Sequence, residues 1–302
     1  MFLGSHISLN KKNRYLVGVV EESIYNGATT FMIFTGAPHN KKREPISSLF
    51  LEEAKELGLK HGIDFKNCVV HAPYIINLAN PKPENQDFNI DQMVSEVKRT
   101  NEMGIPFIVL HPGYHVEQTW EEGMKRLINN LKIVLKRIED TNVTICLETM
   151  PGKKNQLGST FEELSEIIKG CDNHKQLGVC LDTVHMHDAG YDVINRDNLF
   201  NKIDSIIGLN RIKVLHLGDS TSERGGRKDK HANFEYGKIG FKPLLEWAYD
   251  PFFANMPIII ETPFWISKEN KKKTMSPYKH EIRLIKQKKW EPIPEELNYR
   301  PR

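Results

Sequence analysis

A strand-like segment followed by a helical one recurs eight times along this chain, and few folds accommodate that order. The strand-like segments are Phe2–Ile7, Thr30–Phe34, Asn67–His71, Phe107–His111, Val143–Glu148, Leu177–Asp182, Ile212–Asp219 and Pro257–Glu261. They are short and mostly apolar, as expected of strands buried on both faces of a parallel sheet. The clearest helical stretch has apolar residues at Trp120, Met124, Leu127, Ile128, Leu131, Val134, Leu135 and Ile138, on one face of a helix. Ser159 and Glu162 read as a capping box ahead of the next one. Eight β-then-α units in 302 residues predict a closed (β/α)8 TIM barrel, typically about 250 residues long. No linker divides the chain. Residues 1–290 are expected to form a single TIM-barrel domain, and 291–302, with Pro292, Pro294 and Pro301, a surface tail.

Composition narrows the function classes. The chain is 39% hydrophobic and 27% charged, which favours a globular protein. A net charge of +3 does not by itself identify a nucleic-acid binder. Apolar runs such as FIVL and PIII are too short to span a bilayer, and MFLGSHISLN lacks the apolar core of a secretion signal. Cys68, Cys146, Cys171 and Cys180 form no CxxC pair, and three of them lie in apolar strand-like runs. Buried reduced thiols and a cytoplasmic location are the expectation.

The strand ends carry the chemistry. The third ends in His71, the fourth in His111, the fifth in Glu148, the sixth in Asp182 and the eighth in Glu261; His216 lies near the end of the seventh. In a barrel these ends ring the face where active sites lie. One strand-end His or Glu is ordinarily a structural residue or a helix cap. Six in succession would place like charges together without a counter-charge, which points to bound metal. All six offer imidazole nitrogen or carboxylate oxygen, a set that suits zinc, with manganese or iron as alternatives.

Three loop residues extend the set. His185 follows Asp182 by three, and Asp229 and His231 form a D-x-H pair whose side chains point the same way in extended chain. They can form a further metal site, with His187 an alternative ligand. His6, ending the first strand, is expected to orient a ligand by hydrogen bond. Nine ligands exceed the needs of one metal and suffice for three. Neighbouring divalent ions suit phosphate-ester hydrolysis, and three of them outweigh the four carboxylates, turning a face that repels phosphate into one that attracts it.

The segments GSHIS, HAPYIINLANP, HPGYH, LETMPGKKNQLG, GVCLDTVHMHDAGYD, LHLGDS, DKH and IIIETP together resemble the endonuclease IV family of apurinic/apyrimidinic (AP) endonucleases, from Phe2 to about Thr262. GAPHN resembles its Gram-positive branch. The resemblance implies three Zn2+ ions per chain: one on His71, His111 and Glu148, a second on Glu148, Asp182, His216 and Glu261, a third on His185, Asp229 and His231. It implies Glu148 as the catalytic carboxylate. It also implies incision 5′ to abasic sites in double-stranded DNA, leaving a 3′-hydroxyl and a 5′-deoxyribose phosphate, and removal of 3′-blocking groups. Three positions depart from relatives. His39 stands where some members insert an Arg into DNA, Lys230 replaces the Arg of D-R-H, and Glu235 stands where Gly is common.

Charge in the βα-loops supports a DNA partner independently. Lys41, Lys42, Arg43, Lys153, Lys154, Arg224, Arg227, Lys228, Lys230 and Lys271–Lys273 fall on the ligand-bearing face. Tyr74 and Ile75, beside His71, can wedge into a base stack or simply pack their loop. His39, Lys41, Lys230, Tyr74 and Ile75 are the candidate DNA contacts, and a monomer is expected. The main rival is a metal-dependent sugar isomerase or epimerase on a related barrel, which would not require Asp229 and His231. A non-catalytic DNA-binding barrel is a third reading.

Overall fold

The computed structural model describes residues 1–270 and 272–298; Lys271 and residues 299–302 lie outside it. The eight strands are β1 (Phe2–His6), β2 (Thr30–Ile33), β3 (Val69–His71), β4 (Phe107–Leu110), β5 (Thr144–Glu148), β6 (Leu177–Asp182), β7 (Ile212–Leu217) and β8 (Pro257–Ile260). They close in the order β1-β8-β7-β6-β5-β4-β3-β2, with every neighbouring pair parallel. Closure removes the edge strands that an open sheet would leave exposed.

The helices are α1 (Leu16–Asn26), α2 (Leu51–Lys60), α3 (Pro83–Glu102), α4 (Trp120–Arg137), α5 (Phe161–Gly170), α6 (Thr183–Ala189), α7 (Arg196–Ile206), α8 (Phe241–Ala248) and α9 (Tyr278–Gln287). α4 buries Met124, Leu127, Leu131, Val134 and Leu135, the face its periodicity marks out. The capping box belongs to this helix, on Thr119 and Glu122. At α5 the expected box on Ser159 and Glu162 is displaced by one residue. Thr160 is the cap and accepts from the Glu163 amide at 3.1 Å, while the Ser159 amide donates to the Glu163 carboxylate. α6 occupies a stretch that reads in sequence as strand end and turn. Asp182 starts it by accepting from the His185 amide at 2.8 Å, and Gly190 stops it at φ 112°.

Two apolar layers result. The larger lies between strands and helices. The smaller fills the barrel with Met32, Val69, Val109, Cys146, Cys180, Val214 and Ile259, one from each strand after the first. β1 contributes Gly4, where a Cβ would stand 2.0 Å from the Thr30 carbonyl oxygen, so strand contact excludes any side chain there. The four cysteines are free and buried. After β8 the chain forms a small antiparallel sheet of Trp265–Ser267, Thr274–Met275 and Leu297–Asn298. The expected tail is therefore not free over 291–298: Leu297 is buried, and Asn298 pairs with Ile266. Among the described residues, no helix is long and apolar enough to cross a membrane.

Candidate metal centre

Side chains on a strand repeat every two residues. Two residues beyond the apolar floor lie Phe34, His71, His111, Glu148, Asp182, His216 and Glu261; two beyond Gly4 lies His6. The ligand layer is thus the next storey of the barrel core, held in place by the packing beneath it. His185 comes to the same layer from α6. Asp229 and His231 come from the loop after β7, where His231–Ala232 pairs with Asp219–Ser220.

Glu148 is at the centre and fully buried. Its Oε2 lies 3.0 Å from His111 Nε2 and 3.3 Å from His71 Nε2. Its Oε1 lies 2.9 Å from His216 Nδ1 and 3.4 Å from His185 Nδ1. His216 Nδ1 is also 3.3 Å from Glu261 and 3.7 Å from Asp182. Asp229 Oδ1 is 3.1 Å from His185 Nε2 and 3.4 Å from His231 Nε2. Ligand atoms converge within 4.8 Å in three sets: His71–His111–Glu148, Glu148–Asp182–His216–Glu261 and Asp182–His185–His231. Glu148 belongs to two of them. A further set adds Cys180 to Glu148 and His216, but Cys180 belongs to the apolar floor of the barrel, where burial pushes its thiol up to about 12.

The surroundings fix how these groups point. His71 donates from Nδ1 to the Ala72 carbonyl at 2.8 Å, and His185 from Nδ1 to the Thr149 carbonyl at 2.9 Å. Each leaves Nε2 facing the cluster. Asp188, fully buried, accepts from Ser220 Oγ at 2.7 Å and from the Asp229 amide at 2.8 Å. It steadies a loop in which Arg227 and Asp229 both have positive φ. Asp219 accepts from the amides of Glu235, Gly237, Ile239 and Gly240 at 2.8–3.2 Å, folding that loop around its carboxylate. Glu235 has φ 72°, a left-handed backbone that explains why glycine suits the position. These supports are absent from the sequence reading, because each links segments far apart in the chain.

The other candidates divide. His187 donates to the Ser222 carbonyl at 3.1 Å and stands outside the ligand sets. His6 joins the layer without the orienting hydrogen bond expected of it. Its Nε2 is buried without a partner among the described residues, its ring packs against Phe34 at 4.9 Å, and burial lowers its pKa to about 4. Tyr74 is 48% exposed, with its ring 5.4 Å from His111 and 5.7 Å from both His71 and His39. Ile75 is half-buried against the core. Lys41 and Lys230 are exposed. Arg43, grouped by sequence with the basic loop residues, turns inward and pairs with the buried Glu96 at 2.6 Å. It also donates to the carbonyls of Asn40 and Lys42, bracing the loop that carries His39. An open cleft of about 860 Å³ runs over the layer, lined by His39, Tyr74, His111, Tyr114, His231 and Phe264 among others.

The electrostatics fit a cation site. Burial works against charge on Glu148, yet His216 and His111 hold its carboxyl well below the usual range. Burial is likewise overcome at Glu261 by His216 and at Asp229 by His185. Conversely, burial opposes protonation of three imidazoles whose pKa values are nevertheless raised. Asp182 and Asp229 raise His185, Glu261 and Glu148 raise His216, and Asp229 raises His231. Protons thus occupy nitrogens that a metal would take. Asp182 Oδ2 and His231 Nδ1 are buried without hydrogen-bond partners among the described residues. A donor set of imidazoles and carboxylates with unsatisfied buried atoms suits zinc or a similar divalent ion.

The sign of the pH dependence follows for metal-free protein. The depressed carboxylates contribute stability above their ordinary values of 4.5 and 3.8, lost as pH falls through the folded values. The raised histidines contribute stability that is complete below 6.5 and lost as pH rises through the folded values. Chelated protein is expected to melt highest between about pH 4.5 and 6.5 and to weaken towards alkaline pH. Metal-loaded protein should lack that alkaline loss, because ions replace the protons. Melting curves with and without chelator check this; a chelated protein that gains stability from about pH 6.5 to 9 contradicts it.

The family described as xylose isomerase-like TIM barrel matches residues 22–288. "Probable endonuclease 4" of Shouchella clausii is 47% identical over 97% of this chain and 99% of the relative. That of Listeria welshimeri is 46% identical over 96% of both. Among solved structures, endonuclease IV from Thermus thermophilus superposes with a TM-score of 0.78 at 27% identity, over 95% of this chain and 98% of that one. A D-tagatose 3-epimerase-like protein superposes at 0.68 with 23% identity over 95% and 96%, a likeness of fold alone. The identity across nearly the whole of both chains makes this protein a member of the endonuclease IV family, within the xylose isomerase-like TIM barrels.

Proposed function

We propose that this protein hydrolyses the phosphodiester 5′ to abasic sites in double-stranded DNA, leaving a 3′-hydroxyl and a 5′-deoxyribose phosphate, and that it removes 3′-blocking groups. A DNA-cleaving hydrolase of the AP endonuclease type is what membership of the endonuclease IV family entails. The observation that carries the finer reading is Glu148, one carboxylate shared between two converging ligand sets beneath an open cleft. Three zinc ions are assigned: the first to His71, His111 and Glu148, the second to Glu148, Asp182, His216 and Glu261, the third to His185, Asp229 and His231. When bound, they would lower the pKa of water towards neutrality and neutralise charge on phosphate oxygens.

The protein's own groups supply position. Glu148, held ionised and rigid, accepts a hydrogen bond from the attacking water and sets its line towards phosphorus. Tyr74 stands over His71 and His111, is about half exposed, and lines the cleft. An abasic nucleotide has no base to unstack, so extruding it costs less, and an aromatic ring that fills the gap turns that difference into selectivity. His39 touches Tyr74 and shares its role at the cleft, while Ile75 supports the loop from below. Exposed Lys41 and Lys230 are assigned to phosphates. The reading also takes 1–290 as one domain acting as a monomer, since the converging groups, with Asp229 beside His185 and His231, all come from one chain. The reduced buried thiols favour the cytoplasm.

A duplex carrying one abasic analogue should be incised on its 5′ side, and an intact duplex should not. Absence of incision by fully metallated protein, with isomerisation of a free sugar instead, would support the epimerase. Glu148→Gln keeps shape and loses charge; single-turnover incision should fall at least about a thousandfold, roughly 4 kcal/mol, with DNA binding largely kept. A loss within about tenfold would remove Glu148 from the centre of the mechanism. Tyr74→Ala should weaken binding to abasic duplex by about 1–3 kcal/mol and to intact duplex much less. Equal losses on the two duplexes would reduce Tyr74 to loop packing.

A further inference from the structure

Glu281, in the first turn of α9, is only 2% exposed and is not a member of any ligand set. Among the described residues it has no cationic partner within ion-pair distance. A buried carboxylate with no counter-charge is costly, and burial pushes this one up to about 7. Two hydrogen bonds work the other way. Thr262 Oγ1 donates to Oε2 and Asn233 Nδ2 donates to Oε1 at 2.9 Å. Asn233 Nδ2 also donates to the Pro263 carbonyl at 3.1 Å. Thr262 follows Glu261, and Asn233 lies two residues beyond His231. One carboxylate therefore joins two loops that are thirty residues apart in the chain and bring ligands to different sets.

We propose that Glu281 is a positioning residue that fixes the loop of Glu261 against the loop of Asp229 and His231, so that their ligand atoms converge. The inference rests on the reading that these loops hold metal. A helix packed outside the barrel thereby determines geometry inside its mouth. The partners at Thr262 and Asn233 require a planar, two-headed polar group. Glutamine supplies one: its oxygen can accept from Asn233 while its amide donates to Thr262 Oγ1. Leucine fills a similar volume and supplies neither bond.

The test is zinc binding by the full chain, measured by competition with a chromophoric chelator, beside melting of the metal-free protein. Wild type must first bind zinc; if it takes up none, the metal reading fails whatever Glu281 does. Given wild-type binding, Glu281→Leu should weaken the later-filled sites at least about tenfold, the low end for residues that orient ligands. Its metal-free melting temperature should change little, because removal of an uncompensated buried carboxylate offsets the donors left unpaired. Glu281→Gln should stay within about threefold of wild type. Should Glu281→Leu fail to fold, Thr262→Val removes one arm of the junction and should weaken zinc several-fold. Wild-type zinc affinity in Glu281→Leu or, in its place, in Thr262→Val overturns the proposal. So does equal loss in Glu281→Gln and Glu281→Leu, which would make charge, rather than placement, the residue's contribution.

Discussion

The side-chain period of a β-strand joins stability to chemistry in this protein. Val69, Val109, Cys146, Cys180, Val214 and Ile259 fill the barrel, and the residues two further on are His71, His111, Glu148, Asp182, His216 and Glu261. A register that buries the first set necessarily directs the second to the mouth. No separate scaffold is needed to aim the ligands: the packing that closes the barrel has already done so. Gly4 extends the same rule to β1, where the approach of Thr30 leaves no room for a floor side chain and His6 stands in the layer above.

The cost of that arrangement is a crowd of ionisable groups away from water. Glu148 lies within 3.4 Å of four imidazole nitrogens, and without a cation the neighbouring carboxylates favour protonation of His185 and His216. Protons and metal ions compete for one set of atoms, so the site's occupancy and the fold's pH response are a single equilibrium. Ligands from loops lack the discipline of a strand and need supports of their own. Asp188 steadies Asp229, Asp219 gathers the 235–240 loop, Arg43 and Glu96 hold the loop of His39, and Glu281 joins the loops of His231 and Glu261.

Much of this was legible in the sequence, and the misses share a cause. Strand periodicity, helix periodicity and the type of residue at each strand end are local signals, so the barrel and the ligand layer could be read directly. The D-x-H pair could be picked out because its two members are neighbours, but the third converging set takes His231 with Asp182 and leaves Asp229 beside it. What long-range contacts decide could not be read. Arg43 and Lys41 look alike in a basic loop, yet only Arg43 finds a buried carboxylate, from a helix 53 residues away. His6 reads as orienting a ligand by hydrogen bond, but its Nε2 meets no hydrogen-bond partner among the described residues and its ring packs on Phe34. Glu281 reads as an ordinary helix residue because its partners lie 19 and 48 residues away. Residues 291–298 read as a tail because proline hides a two-residue strand that pairs with the chain after β8. At α5, two adjacent hydroxyl residues left the cap ambiguous by one position.

The central claim is that one storey of the barrel and one loop together hold three metal ions, two of them sharing Glu148. Anomalous diffraction from crystals of protein purified without added metal, collected on either side of the zinc absorption edge, tests this directly. The account predicts three anomalous peaks per chain, with Glu148 between two of them and the third beside His185, Asp229 and His231. A single peak in fully active protein would contradict it.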